Sequence, residues 1–267
     1  MAVDFKFKDK YDFNDLVEIT RILREPGGCP WDMEQTHKSV RENFLEETYE
    51  VIEAIDTDNP ELMQEELGDV LLQVTLHSDM ARTDGWFDIN DVADGICKKL
   101  IIRHPHVFGD VTVSSTGDVL KNWDDIKRQT KKQGSQGEAM AAIPATYPAL
   151  MKAQKVQEKA KKAGFDWRDS SGAFEKIAEE TAELKEALKK GVKEDIEDEL
   201  GDVLFSVVNV ARFCDCEAET ALDKATKKFM KRFTVTEKLA LEKGIDMKTA
   251  SIEVLDGLWD EAKKKVD

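Results

Sequence analysis

Eight acidic side chains in this sequence have types and spacings that could do chemistry. Glu47 and Glu50 are three residues apart, as are Glu66 and Asp69, and the same two steps recur as Glu180 with Glu183 and Glu199 with Asp202. On a helix of 3.6 residues per turn, positions three apart lie about 60° apart on the surface. Two antiparallel helices joined by a short loop can bring both steps to one level, so that four carboxylates face each other. At about 5 Å and an effective dielectric near 20, each unscreened pair repels by roughly 3 kcal/mol. Such a set is tolerable if it is protonated, paired with cations or bound to a metal. All-oxygen donors suit hard ions, Mg²⁺ first and Mn²⁺ second. The competing reading is of ordinary solvated acids on charged helices, which is the common case for a single pair.

The duplication argues against that reading. Residues 45–55 (LEETYEVIEAI) resemble residues 178–188 (AEETAELKEAL), and residues 65–72 resemble residues 198–205. Glu180, Glu183, Glu199 and Asp202 each follow their counterparts Glu47, Glu50, Glu66 and Asp69 by 133 residues. The repeat extends outward to Gly28 and Trp31 against Gly164 and Trp167, and to the basic pairs Lys99/Arg103 against Lys228/Arg232. It predicts two homologous helical domains.

The elements that must position these residues are helical by pattern. Phe44, Thr48, Val51, Ile52 and Ile55 recur at the spacing of one helix face. Asp58-Asn59-Pro60 reads as a stop and a new start, with a second helix over 61–81. Further helices are expected over 11–23 and 89–103, a loop over 24–30, and a short extended piece over 111–117. Glu66 and Asp69 open a helix that continues VLLQVTL, and Asp202 precedes VLFSVV, so both helices are expected to be largely buried. The polar, Gly-containing stretch near 129–142 reads as an exposed connection. The expected fold class is all-α, with two tandem helical-bundle domains. The N-terminal domain spans 1–129, the connection 130–145 and the C-terminal domain 146–267.

Composition closes off other classes. Of 267 residues 35% are charged and 41% hydrophobic, enough for a packed core, and the net charge of −16 disfavours a nucleic-acid partner. No apolar run is long enough to span a membrane, and the start MAVDFKFKDK has no signal-peptide core. Four scattered cysteines do not make a disulfide framework, so a cytoplasmic location is expected. There is no P-loop, no dinucleotide fingerprint and no complete Nudix signature. A di-iron bundle needs Glu-x-x-His twice, and the second repeat contains no histidine, which disfavours iron and zinc.

The pattern E-E-x-x-E, fifteen residues, E-x-x-D, present twice on helices, resembles the MazG family of nucleoside triphosphate pyrophosphohydrolases. The stretches GCPWD at 28–32, QTH at 35–37, RHPHVF at 103–108, Asn122-Trp123 and GFDW at 164–167 also match that family. The resemblance implies the all-α NTP pyrophosphatase fold, helical bundles that dimerise, Mg²⁺ in the carboxylate cluster, and hydrolysis of nucleoside triphosphates to monophosphate and pyrophosphate. It also places Trp259 and Lys263 around the nucleotide, and an Asn at position 209 where the first repeat has Leu76. The residues agree with this chemistry. A triphosphate enters a nest of carboxylates only with divalent metal between them. Glu179 or Glu180 is the candidate proton acceptor, Lys228 and Arg232 share a helix face for phosphate, and Trp167 and Phe165 are candidates for stacking on a base. Asn209 makes the C-terminal domain the expected main catalyst. Two rival readings are a helical regulatory module with degenerate metal sites and a helical pyrophosphatase restricted to dUTP or dCTP.

Overall fold

A computed structural model describes residues 5–117, 119, 122, 123, 126 and 134–266. Among these residues every regular element is a helix, and the chain divides into two compact units, 1–130 and 131–267. Residues 129–133, where the N-terminal domain and the expected connection meet, lie outside the described residues.

In the first unit, α1 (Phe13–Arg24), α2 (Pro30–Glu34), α3 (Arg41–Asp56), α4 (Pro60–Thr83), α5 (Ile89–Arg103) and α6 (Pro105–Phe108) follow in order. Asp12 starts α1 with a capping box closed by Asp15, and Asp88 does the same for α5 with Asp91. The loop expected over 24–30 gives way to α2 at Pro30. Gly28 is required there, because a Cβ would sit 2.2 Å from the carbonyl oxygen of Ile22. α4 is the central element, packing against α1, α3 and α5. Val40, Leu76 and Met80 form its apolar core, and Thr20 of α1 shares a buried 3.1 Å hydrogen bond with Thr75. Residues 111–115 form no strand.

The second unit contains α7 (Gln136–Ala141), α8 (Ala149–Lys162), α9 (Ser170–Lys190), α10 (Lys193–Phe213), α11 (Ala218–Glu242) and α12 (Ile252–Val266). Within the expected exposed connection, α7 is ordered: Ser135 caps it, Ala139 is buried, and it packs on α8. Gly191, at φ 72°, closes α9 in the left-handed region and turns the chain directly into α10. α9 packs along α10, α10 also rests on α8, and α11 pairs with α12 around Leu239, Ala240, Leu258 and Ala262.

The helices that follow the acidic steps are less covered than their sequence suggests. On α10, Leu204 and Val207 remain 49% and 47% exposed, and Leu200 and Phe205 are also open. Leu67 and Leu71 of α4 behave likewise. Neighbours within each unit cover only part of each helix's circumference, and an apolar sector is left facing out.

Candidate active site

The turn between the paired helices sets the site. In the first unit Glu50 lies six residues before Asp56, the end of α3, and Glu66 lies six residues after Pro60, the start of α4. Antiparallel packing across the turn therefore brings the two acidic steps level. In the second unit Glu183 and Glu199 stand almost symmetrically about Gly191-Val192.

Carboxylate oxygens of Glu47, Glu66 and Asp69 lie within 4.8 Å of one another, and so do those of Glu180, Glu199 and Asp202. Each set draws on both helices of its pair. Each fourth acid flanks its set: Glu50 stands close to Glu47 and Glu66, and Glu183 close to Glu180. The expected quartets are thus three converging acids with one close neighbour.

Electrostatics follow the crowding. Burial, then Asp69 and Glu50, raise the Glu47 carboxyl above its ordinary range. Burial and Glu50 do the same to Glu66. Glu183 is raised by the close approach and charge of Glu180, then by burial and the charge of Glu199. A carboxylate with a raised pKa in the folded state binds more protons folded than unfolded, so its contribution to stability is lost as pH rises through the folded pKa. Glu66→Gln is accordingly expected to raise the melting temperature of metal-free protein at neutral pH. That gain shrinks as pH falls into the carboxylate range, in melts taken across pH with a chelator present.

The second cluster contains a feature that motif reading missed. Lys176 forms ion pairs with Glu179 at 2.9 Å and with Glu180. Glu180 is only 3% exposed, and its Oε2 has no hydrogen-bond partner. Glu179 is on the rim, with its side chain 57% exposed. The available signal was a lysine four residues before Glu180, where the first repeat has Asn43.

A buried network lies further along α10. Arg212 donates to Asp166 through Nη1 at 2.9 Å and Nη2 at 2.5 Å, and to Asn209 Oδ1 through Nε at 3.0 Å and Nη2 at 2.6 Å. The Asn209 carbonyl end is therefore committed to Arg212. In the first unit, position 76 is a core Leu, and Asp79, the counterpart of Arg212, pairs instead with Arg24 and Arg82. Asp166 also ties down the loop that carries Phe165, 83% exposed, and Trp167, whose ring packs against Gly172.

The remaining expected residues sit elsewhere in the second unit. Lys228 is exposed and Arg232 half-buried on α11, beside the Phe229–Phe233 stack that meets Trp259 at 5.0 Å. Lys263 pairs with Asp260 at 2.6 Å. No ion pair or hydrogen bond among the described residues joins Lys228, Trp259 or Lys263 to the carboxylates. Lys99, exposed, and Arg103, half-buried on α5, repeat the spacing, and Arg103 lies over the Trp123 ring at 4.9 Å.

Comparison with known proteins matches this sequence to a family. The model of the MazG nucleotide pyrophosphohydrolase domain matches residues 35–108 and again residues 169–237, once over each cluster. A Thermotoga maritima protein named nucleoside triphosphate pyrophosphohydrolase/pyrophosphatase MazG is 48% identical over 94% of this chain and 95% of its own. An Escherichia coli protein named nucleoside triphosphate pyrophosphohydrolase is 39% identical over 94% of this chain and 96% of its own. The Bacillus subtilis protein YabN, described as uncharacterized, is 46% identical over 95% of this chain and 52% of its own. With two matched domains, each centred on a paired-helix carboxylate cluster, the chain belongs to the MazG nucleotide pyrophosphohydrolase family.

Proposed function

We propose that this protein hydrolyses nucleoside triphosphates between the α and β phosphates, giving nucleoside monophosphate and pyrophosphate. In this reading the C-terminal cluster is the main catalyst. The observation that carries it is the convergence of Glu180, Glu199 and Asp202 on oxygens within 4.8 Å, with one buried Glu180 oxygen left unpartnered. That all-oxygen donor set fits Mg²⁺, with Mn²⁺ as the alternative. Bound there, the ion would supply charge neutralisation for the phosphates and activation of a water.

The chain's own residues do the rest. Glu180, Glu199 and Asp202 hold the ion, with Glu183 beside them. Glu179, on the rim and outside the converging set, takes the proton of the attacking water. Lys228 and Arg232 meet the triphosphate, Asn209 donates through its amide, and Phe165, Trp167, Trp259 and Lys263 surround the nucleoside. In the N-terminal unit, Glu47, Glu66 and Asp69 keep a donor set, with Glu50 adjacent. Leu76 removes the amide there, which favours a secondary role. Two copies assemble through the exposed apolar sectors of α4, α10 and α11, because open patches of this kind mark interfaces. The residues placed around the nucleotide are brought to the acids in that assembly. Four free cysteines suit a reducing compartment, and we place the protein in the cytoplasm.

The test is pyrophosphate release from a panel of nucleoside triphosphates with Mg²⁺. Glu50→Gln is expected to leave turnover nearly unchanged, and Glu183→Gln to cut it sharply. The reverse order would assign the main chemistry to the N-terminal cluster. Turnover confined to dUTP or dCTP would favour the restricted enzyme.

A further inference from the structure

The two carboxylate clusters differ in one charge. At the C-terminal cluster Lys176 is ion-paired to Glu179 and Glu180, and its ammonium lies on an oxygen of the most buried acid in the set. At the N-terminal cluster the corresponding position, 133 residues earlier, is Asn43, and among the described residues Glu47, Glu50, Glu66 and Asp69 make no ion pair.

We propose that Lys176 is a built-in counterion that competes with divalent metal for the C-terminal cluster, so that the two repeats differ in metal affinity by the charge at this one position. The inference rests on the reading of both clusters as divalent-metal sites. Its physical basis is direct. An ammonium within ion-pair distance of a carboxylate neutralises part of the charge that attracts a metal ion, and it must withdraw before Glu180 can offer that oxygen. An Asn at the same place makes no such demand. Lys176 therefore acts as a positioning residue: it holds Glu180 and Glu179 together until a more highly charged ion replaces it.

Mn²⁺ binding to the full-length chain, read by electron paramagnetic resonance of the free ion without nucleotide, tests this. In a Glu50→Gln/Asp69→Asn background, where only the C-terminal cluster is intact, Lys176→Asn is expected to tighten Mn²⁺ by roughly tenfold or more. Lys176→Gln should do the same, and Lys176→Arg should remain close to the parent. In a Glu183→Gln/Asp202→Asn background, Asn43→Lys is expected to weaken Mn²⁺ by a similar factor. Melting curves on each variant identify any that fail to fold, and the Gln replacement stands in if Asn is one of them. Unchanged or weaker Mn²⁺ binding in folded Lys176 variants would overturn the inference and leave the metal reading of the clusters intact. Absence of Mn²⁺ binding at either cluster, with or without Lys176, would overturn both.

Discussion

Asp202→Asn is expected to lower pyrophosphate release by at least about a hundredfold with the helices intact, because it removes a converging donor without changing its shape. Asp202 lies nine residues into α10, and its oxygen lies within 4.8 Å of those of Glu180 and Glu199. The amide keeps a carbonyl oxygen but loses the charge, so the set becomes a weaker home for a hard cation. The loss should fall on the rate at saturating nucleotide, and raising Mg²⁺ should recover part of it. Asp69→Asn, the matching change in the other repeat, should cost little. Circular dichroism and melting curves on both variants separate a chemical loss from a folding one.

The second large effect concerns stability. Asp166→Ala leaves the Arg212 guanidinium, whose side chain is 6% exposed, without its carboxylate. Removing one partner of a buried ion pair strands the other charge, at a cost of about 3–5 kcal/mol. For a unit of this size that corresponds to a fall in melting temperature of roughly ten to seventeen degrees. The double variant Asp166→Ala/Arg212→Met should recover much of the loss, since an apolar pair of similar volume no longer buries a lone charge. A fall that the double change does not relieve would show that Asp166 acts through its loop rather than through Arg212. Activity in the double variant is a separate readout, because the amide of Asn209 then loses the donor that orients it.

The convergence of the acids was legible because a three-residue step fixes a direction on a helix, and a constant separation between the two copies makes chance a poor explanation. The start of α4 was legible for a similar reason: Asn59-Pro60 is chemically committed to a helix N-terminus. Other features were hidden for definite causes. Periodicity shows which side of α10 is apolar but not whether a neighbour in the same unit covers it, so Leu204 and Val207 read as buried and stand half open. The stretch before Pro144 reads as a linker by composition. Yet Ser135 accepts from the Glu138 amide and the Glu138 carboxylate accepts from Gly134 N–H, enough to start α7 in polar sequence. Lys176 was hidden by its ordinariness, since a Lys four residues from a Glu is an ordinary surface pair on a helix. Only the burial of Glu180 gives that pair its meaning. Asn209 was legible as a difference between the repeats, whereas its bond to Arg212 depends on Asp166, far away in the chain.

The most direct measurement of the central claim is the identity of the products. The full-length protein with ATP and Mg²⁺, its reaction followed by phosphorus-31 NMR, is predicted to form AMP and pyrophosphate in equal amounts, with neither ADP nor orthophosphate. Formation of ADP and orthophosphate, or no turnover of any nucleoside triphosphate by folded protein with Mg²⁺ or Mn²⁺ present, would contradict the account.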